Sequence, residues 1–183
     1  MKLHLGCWHR NIPGFVNVDL CDMEHIDYKS SIDELPMFDN ESVSLIYSSH
    51  SFEYFNRTEA EKVLTEWGRV LKPGGVLRLA VPDFDSLIRV YQKTGDIEKI
   101  LGPLYGQMDI QTASGLKTLY HRTVYNFDSL ALLLGNNGFE NIKRYDWRET
   151  VHKDYDDHSQ AYFPHMDKEN GILVSLNIEA IKL

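Results

Sequence analysis

Apolar positions follow two alternating rhythms along the chain. Short apolar runs, "VSLIYS" (Val43–Ser48) and "VLRLAV" (Val76–Val81), have the length and β-branched content of strands buried in a parallel sheet. Lys2–Gly6 and Phe15–Leu20 form an opening pair of the same kind, and Tyr28–Ile32 is a weaker third. Ile142–Trp147 and Ile172–Leu183 complete the set. In the last run Ile172, Val174, Leu176 and Ile178 alternate with Leu173, Ser175, Asn177 and Glu179.

Between these strands the spacing becomes helical. In "RTEAEKVLTEWGRVLKPGG", Val63, Leu64, Trp67, Val70 and Leu71 share one face, and Thr58 with Glu61 predicts a capping box. Pro73-Gly74-Gly75 then turns the chain into the next strand. "PDFDSLIRVYQKTG" predicts a helix ending at Gly95, and "FDSLALLLGNNGF" a third, with Leu130, Leu133 and Leu134 as its core stripe. Strands alternating with helices imply right-handed crossovers and an α/β sheet covered on both faces. The first crossover helix is reduced to a turn or short 3₁₀ piece. Gly6 to Asp19 is too short for a helix-containing parallel connection, and Pro13-Gly14 interrupts it. Residues 97–122, with Gly102-Pro103, Gly106 and Gly115, break the rhythm and read as a lid-like insertion in a single 183-residue domain.

Composition narrows the partners. A net charge of −8 disfavours nucleic acid and anionic lipid, and no apolar run is long enough to cross a bilayer. The two cysteines, Cys7 and Cys21, lack metal-ligand spacing. Met1-Lys2-Leu3 enters a strand pattern without the layout of a secretion signal. A cytoplasmic protein is expected.

In an open parallel sheet, ligands bind beyond the carboxyl ends of the strands. The residues there are Gly6-Cys7-Trp8, Asp19-Leu20, Asp33-Glu34, Ser48-Ser49-His50 and Pro82-Asp83. Taken alone, Asp19 fits two roles, a turn cap or an acceptor for both ribose hydroxyls of a nucleoside. The segment "VHKDYDDHSQAYFPHMD" holds three histidines, but its spacing fits neither zinc nor calcium. It reads as a polar excursion whose aromatic end approaches the sheet, and no metal is expected.

Together, "LHLGC…FVNVDL", "DELPMFDNESVSLIYSSHSFEYF" and "VLTEWGRVLKPGGVLRLAVPDFDSL" resemble the class I S-adenosylmethionine-dependent methyltransferases, in particular the compact bacterial type 11 group. "YNFDSLALLLGNNGFENIKRYDWR" and "PHMDKENGILVSLNIEAIKL" extend the resemblance over nearly the whole chain. It implies a Rossmann-like sheet, mostly parallel with an antiparallel last strand, and S-adenosyl-L-methionine as cofactor. Carried over by position, Leu5, Gly6, Cys7 and Trp8 would pass the methionine moiety, and Asp19 would hold the ribose. Asp33 and Glu34 would lie at the adenine amine, Leu20 and Leu35 would sandwich the ring, and Ser48, Ser49 and His50 would flank the methyl group.

The chain departs from the family where G-x-G-x-G reads Gly6-Cys7-Trp8-His9-Arg10, where Ser44 replaces an acid, and where a Glu-His pair reads Glu53-Tyr54. The missing glycine-rich turn also disfavours a nicotinamide-dependent oxidoreductase. His50 or His121 would serve as base, with Asp83 as orienter or acid. The expected acceptor is a small molecule or glycan-related compound. The alternative is a non-catalytic member of the fold that senses the cofactor or binds another protein.

Overall fold

The computed structural model describes residues 1–183. A seven-stranded sheet runs in the order β3-β2-β1-β4-β5-β11-β8. Its members are β1 (Lys2–Leu5), β2 (Val16–Asp19), β3 (Tyr28–Lys29), β4 (Val43–Ser49), β5 (Leu71–Pro82), β8 (Phe139–Arg144) and β11 (Ser175–Lys182). The first five are parallel, and β11 lies antiparallel to both β5 and β8. Two hairpins stand outside the sheet, β6 (Met108–Thr112) with β7 (Gly115–Leu119), and β9 (Tyr162–Phe163) with β10 (Ile172–Leu173). The helices are α1 (Arg57–Val70), α2 (Phe84–Thr94), α3 (Glu98–Tyr105) and α4 (Phe127–Asn136). None is long and apolar enough to cross a membrane.

The anticipated α/β sheet, its antiparallel last strand and the missing first helix are all present, while several boundaries move. The N-cap of α1 is Asn56, not Thr58. The Asn56 side chain accepts the Glu59 N–H at 2.9 Å, and the Glu59 carboxylate accepts the Asn56 N–H at 2.9 Å. Asn caps as well as Thr and stands one residue before the helix, so the box shifts two positions. An Asn56→Ala variant should lose about 1 kcal/mol of stability, read as a midpoint drop of roughly 2–4 °C in a thermal melt. β8 begins at Phe139, directly after the turn that ends α4, rather than at Ile142. The final run breaks at Val174, whose N–H donates to the Ala161 carbonyl, so Ile172–Leu173 pairs with β9 and only Ser175 onward joins the sheet.

The sheet's two faces differ in chemistry. On one face Leu3, Leu5, Val18, Ile46, Leu77 and Leu79 pack against Val63, Leu64 and Trp67 of α1 and Leu130 and Leu134 of α4. Here burial of large apolar side chains, at about 25 cal/mol per Å² removed from water, drives assembly. The other face carries a row of polar side chains in direct register across the strands, Asn17–His4–Tyr47–Arg78–Glu179. No helix covers it. Ile12 and Phe15 from the shortened first connection pack there against Leu45 and Tyr47, and residues 145–161 cover the rest.

Candidate functional site

The carboxyl ends of β1, β2 and β4 open into a cleft of about 1070 Å³. That is at the upper end of the range for small-ligand sites. The sequence builds it from loops that start at strand ends. Gly6 adopts φ +67°, and its N–H donates to the Val18 carbonyl at 2.9 Å. A Cβ there would sit 2.4 Å from Ser51 Oγ, because the turn after β4 presses against the first loop. Left-handed backbone and close approach both require glycine. We expect Gly6→Ala to cost about 2 kcal/mol of stability, and calorimetric melting of the variant checks this.

Asp19, at the end of β2, closes the second loop onto the first. Its Oδ2 accepts the Trp8 N–H at 2.7 Å and its Oδ1 accepts the Cys21 N–H at 2.9 Å. Each oxygen keeps a lone pair for a further donor. Trp8 itself sits at φ +44°, a conformation that Asp19 and the His25 ring hold in place, the latter through the Trp8 carbonyl at 2.7 Å. Beside them Cys7, Cys21, Ile26 and Ile110 form a small apolar cluster joined by Leu20 and Met108. Ile110 and Met108 come from the β6–β7 hairpin, which is tied down where the Asp22 N–H donates to the Gln111 carbonyl at 3.1 Å. Residues 97–122, expected as a lid-like insertion, fold as α3 plus this hairpin, bridged to Cys21 just after β2 through Thr112.

The structure brings together most of the expected site residues. Gly6, Cys7, Trp8, Asp19, Leu20, Asp33, Ser49, His50 and His121 all line the cleft. Five residues lie elsewhere. Leu5 and Leu35 are fully buried in the main core, so Leu35 is not positioned to cover a ring in the cleft. Ser48 faces inward and shares a hydrogen bond with Ser51 at 2.7 Å. Glu34 borders a separate shallow depression with Lys62 and Glu66. Asp83 is buried before α2, accepting from Ser86 Oγ at 3.1 Å and from Arg144 at 3.4 Å. Strand alternation turns Leu5 and Ser48 inward, the start of α2 holds Asp83, and the loop between β3 and β4 buries Leu35 in the core and leaves Glu34 outside the cleft.

The histidines are more constrained than sequence suggested. Ser175 Oγ donates to Asn177 Oδ1 at 2.9 Å, so it accepts from His50 Nε2 at 3.0 Å. The Pro103 carbonyl can only accept, so His121 Nδ1 donates to it at 2.9 Å. These assignments follow from the hydrogen-bond network. They leave the lone pairs of His50 Nδ1 and His121 Nε2 facing the same oxygen, Glu53 Oε1, at 3.6 and 3.5 Å. Glu53 is 1% exposed with neither oxygen otherwise partnered, and burial pushes its carboxyl up to about 8. Burial also lowers both imidazoles, His50 the more strongly, and the neighbouring His158 lowers each further. At neutral pH the arrangement is a protonated acid between two neutral imidazoles. A carboxylate there would face two lone pairs and no donor.

Gly106, at φ +52°, fixes His121 from behind, since a Cβ there would fall 2.0 Å from His121 Nε2. Glu53 was legible only as half of a pair, although the His50-x-x-Glu53 spacing was available as a signal. His158 and Asp157, which also line the cleft, come from the excursion that read as a solvated loop.

Residues 14–79 match the methyltransferase domain family. The sequence matches no curated protein. Among solved structures, an S-adenosylmethionine dependent methyltransferase from Mesorhizobium loti is 16% identical, with TM-score 0.53 over 99% of this chain and 90% of its own. A 1,6-didemethyltoxoflavin-N1-methyltransferase from Burkholderia thailandensis, solved with S-adenosylhomocysteine, is 14% identical, with TM-score 0.55 over 99% and 70%. A Pyrococcus horikoshii protein is 16% identical, with TM-score 0.55 over 100% and 81%. The chain has the fold of the class I S-adenosylmethionine-dependent methyltransferases, and its residues 14–79 match that fold's methyltransferase domain model.

Proposed function

We propose that this protein binds S-adenosyl-L-methionine in the cleft and transfers its methyl group to a small-molecule or glycan-related acceptor. The observation that carries the reading is Asp19. Its carboxylate is fixed by two backbone N–H groups at the end of β2 and keeps lone pairs toward the cleft, the arrangement a ribose diol requires. The residues fit the rest of the group. Gly6 leaves the backbone bare where the first loop meets the cleft, and Leu20 and Ile110 supply apolar surface for a ring. When bound, S-adenosylmethionine supplies a methyl group on a sulfonium, activated without help from the protein.

This chain's residues then have to orient an acceptor behind that methyl group and exclude water. Orientation of this kind lowers a barrier by several kcal/mol. Ser49, His50, Tyr120 and His121 all line the cleft, with the two imidazoles meeting at Glu53. The neutral Glu53 lies behind the two imidazoles without adding a charge beside the sulfonium site.

Calorimetric titration with S-adenosylmethionine and S-adenosylhomocysteine tests the reading. Micromolar binding of both supports it. No heat from folded protein sinks the enzyme reading and leaves a non-catalytic member of the fold, acting as a sensor or interaction module.

A further inference from the structure

Four imidazoles line the cleft: His4, His50, His121 and His158. His4 is 1% exposed and stacks on Tyr47 with ring centroids 5.3 Å apart, so it belongs to the layer beneath. His50 and His121 each have one nitrogen donating to a fixed acceptor and the other facing Glu53. His158 differs. Neither of its ring nitrogens is hydrogen-bonded, its side chain is exposed to the cleft, and its ring centroid lies 5.1 Å from that of His50.

The backbone that presents His158 is anchored on every side. Its short 3₁₀ turn, residues 158–160, begins after Asp157, whose Oδ1 accepts the Ser159 N–H at 2.8 Å. The other Asp157 oxygen accepts from Tyr47 Oη at 2.5 Å, tying the turn to β4. Asn177 Nδ2 donates to the Ser159 carbonyl at 2.8 Å, tying it to β11, and Arg10 Nε donates to the Asp156 carbonyl from the first loop. Three elements of the fold are spent on holding one unengaged imidazole beside His50. A group fixed through its backbone while its side chain stays free is what a proton acceptor needs.

We propose that His158 is the catalytic base of the methyl transfer, and that the acceptor is a compound whose reacting atom must shed a proton, a hydroxyl in the simplest case. The proposal rests on the cofactor reading above. As the acceptor oxygen forms its bond to the methyl carbon, its O–H bond breaks, the proton passes to a ring nitrogen of His158, and the electron pair of the cleaved S–C bond remains on sulfur. One cation is consumed and one imidazolium appears, so charge balances. A neutral amine acceptor would need no such base in this step, because its product is a stable cation. The groups facing His158 are suited to the task. Desolvation by the surrounding cleft walls lowers its affinity for a proton, Asp157 and Asp156 raise it, and Arg10 lowers it, with a net lowering that keeps the ring neutral and available near pH 7.

The test uses the whole protein labelled at its histidine rings and needs no acceptor. The ring proton of His158, identified by its loss in His158→Gln, is titrated by NMR in the free protein, with S-adenosylhomocysteine, and with S-adenosylmethionine. The two ligands differ by a methyl group and one positive charge. If His158 lies beside the methyl position, its midpoint should fall by about one pH unit more with S-adenosylmethionine than with S-adenosylhomocysteine. Equal midpoints with both ligands bound, as judged by calorimetric saturation of the same sample, would overturn the role of His158 and leave the cofactor site standing. Failure of either ligand to perturb any resonance would overturn the cofactor reading first and this proposal with it.

Discussion

Replacing Asp19 with alanine should weaken S-adenosylhomocysteine binding by about 100-fold or more, the loss of two charge-assisted hydrogen bonds to a ribose at roughly 1.5–3 kcal/mol each. The substitution also removes the acceptor that holds the Trp8 N–H and the Cys21 N–H. Two hydrogen bonds of about 1 kcal/mol each are lost from the fold, so the melting midpoint should fall by about 5 °C. The two effects separate in Asp19→Asn. Its side-chain carbonyl can still accept one of these N–H groups, while the charge that favours the ribose is gone. Calorimetry of both variants distinguishes a binding carboxylate from a structural cap. If Asp19→Ala binds as tightly as the parent, Asp19 serves only the turn.

The second large effect lies beneath the cleft, in the polar row on the sheet. His152 is fully buried, stacks on Tyr47 with centroids 3.9 Å apart, and has neither ring nitrogen hydrogen-bonded. Burial lowers its pKa, and that of His4 on the other side of Tyr47, to about 4. A phenylalanine in place of His152 keeps the stack and removes two unsatisfied polar atoms. His152→Phe should therefore stabilise the protein at pH 7 by about 1–3 kcal/mol, the cost of leaving such groups unpaired.

The pH dependence follows from the same burial. Below the ordinary histidine value of 6.5 the unfolded chain takes up protons that the folded state refuses until about pH 4. Stability therefore falls as pH drops through that window, by about 3 kcal/mol for each of the two histidines. Glu53 works in the opposite sense. Its carboxyl stays protonated in the fold up to about 8 but ionises near 4.5 when unfolded, so stability is lost as pH rises between those values. These two histidines, joined in the same sense by the lowered His50, His121 and His158, outweigh the one glutamate, which places the maximum near pH 6.5 and makes the acid limb fall. His152→Phe should flatten that limb by about 2 kcal/mol between pH 7 and pH 5. Urea midpoints at pH 7 and pH 5 measure both effects. A variant less stable at both, with an unchanged difference between them, would show that the ring is paired in solution.

Much of the sheet was legible because its signals are local. "VSLIYS" and "VLRLAV" are buried except for an exposed Ser44 and half-buried Val76 and Arg78, and the helical stripes of α1 and α4 pack against one apolar face. The missing first helix was visible in a connection too short to hold it, with Pro13-Gly14 inside. Asn56 was missed because Thr58 offers the same capping chemistry two residues on, and only packing decides which turn comes first. The break at Val174 was missed because an alternating run carries no mark of where it changes partner.

The candidate site divides in the same way. Gly6, Asp19 and His50 end strands, and the sequence by itself placed them at the mouth of the sheet, because strand ends are set by local pattern. Asp83 directly follows β5, yet a helix start turns it away, and Leu35 lies six residues beyond β3 and packs into the core. Glu53 and His121 are 68 positions apart, and His50 and His158 are 108 apart. Their meeting depends on how the lid and the excursion after β8 fold back over the sheet, and no local periodicity encodes that path. The sequence determined the scaffold and its acid at β2. The tertiary structure alone decided which imidazoles are engaged and which is free, because a hydrogen-bond partner is fixed by position in space rather than by neighbours along the chain.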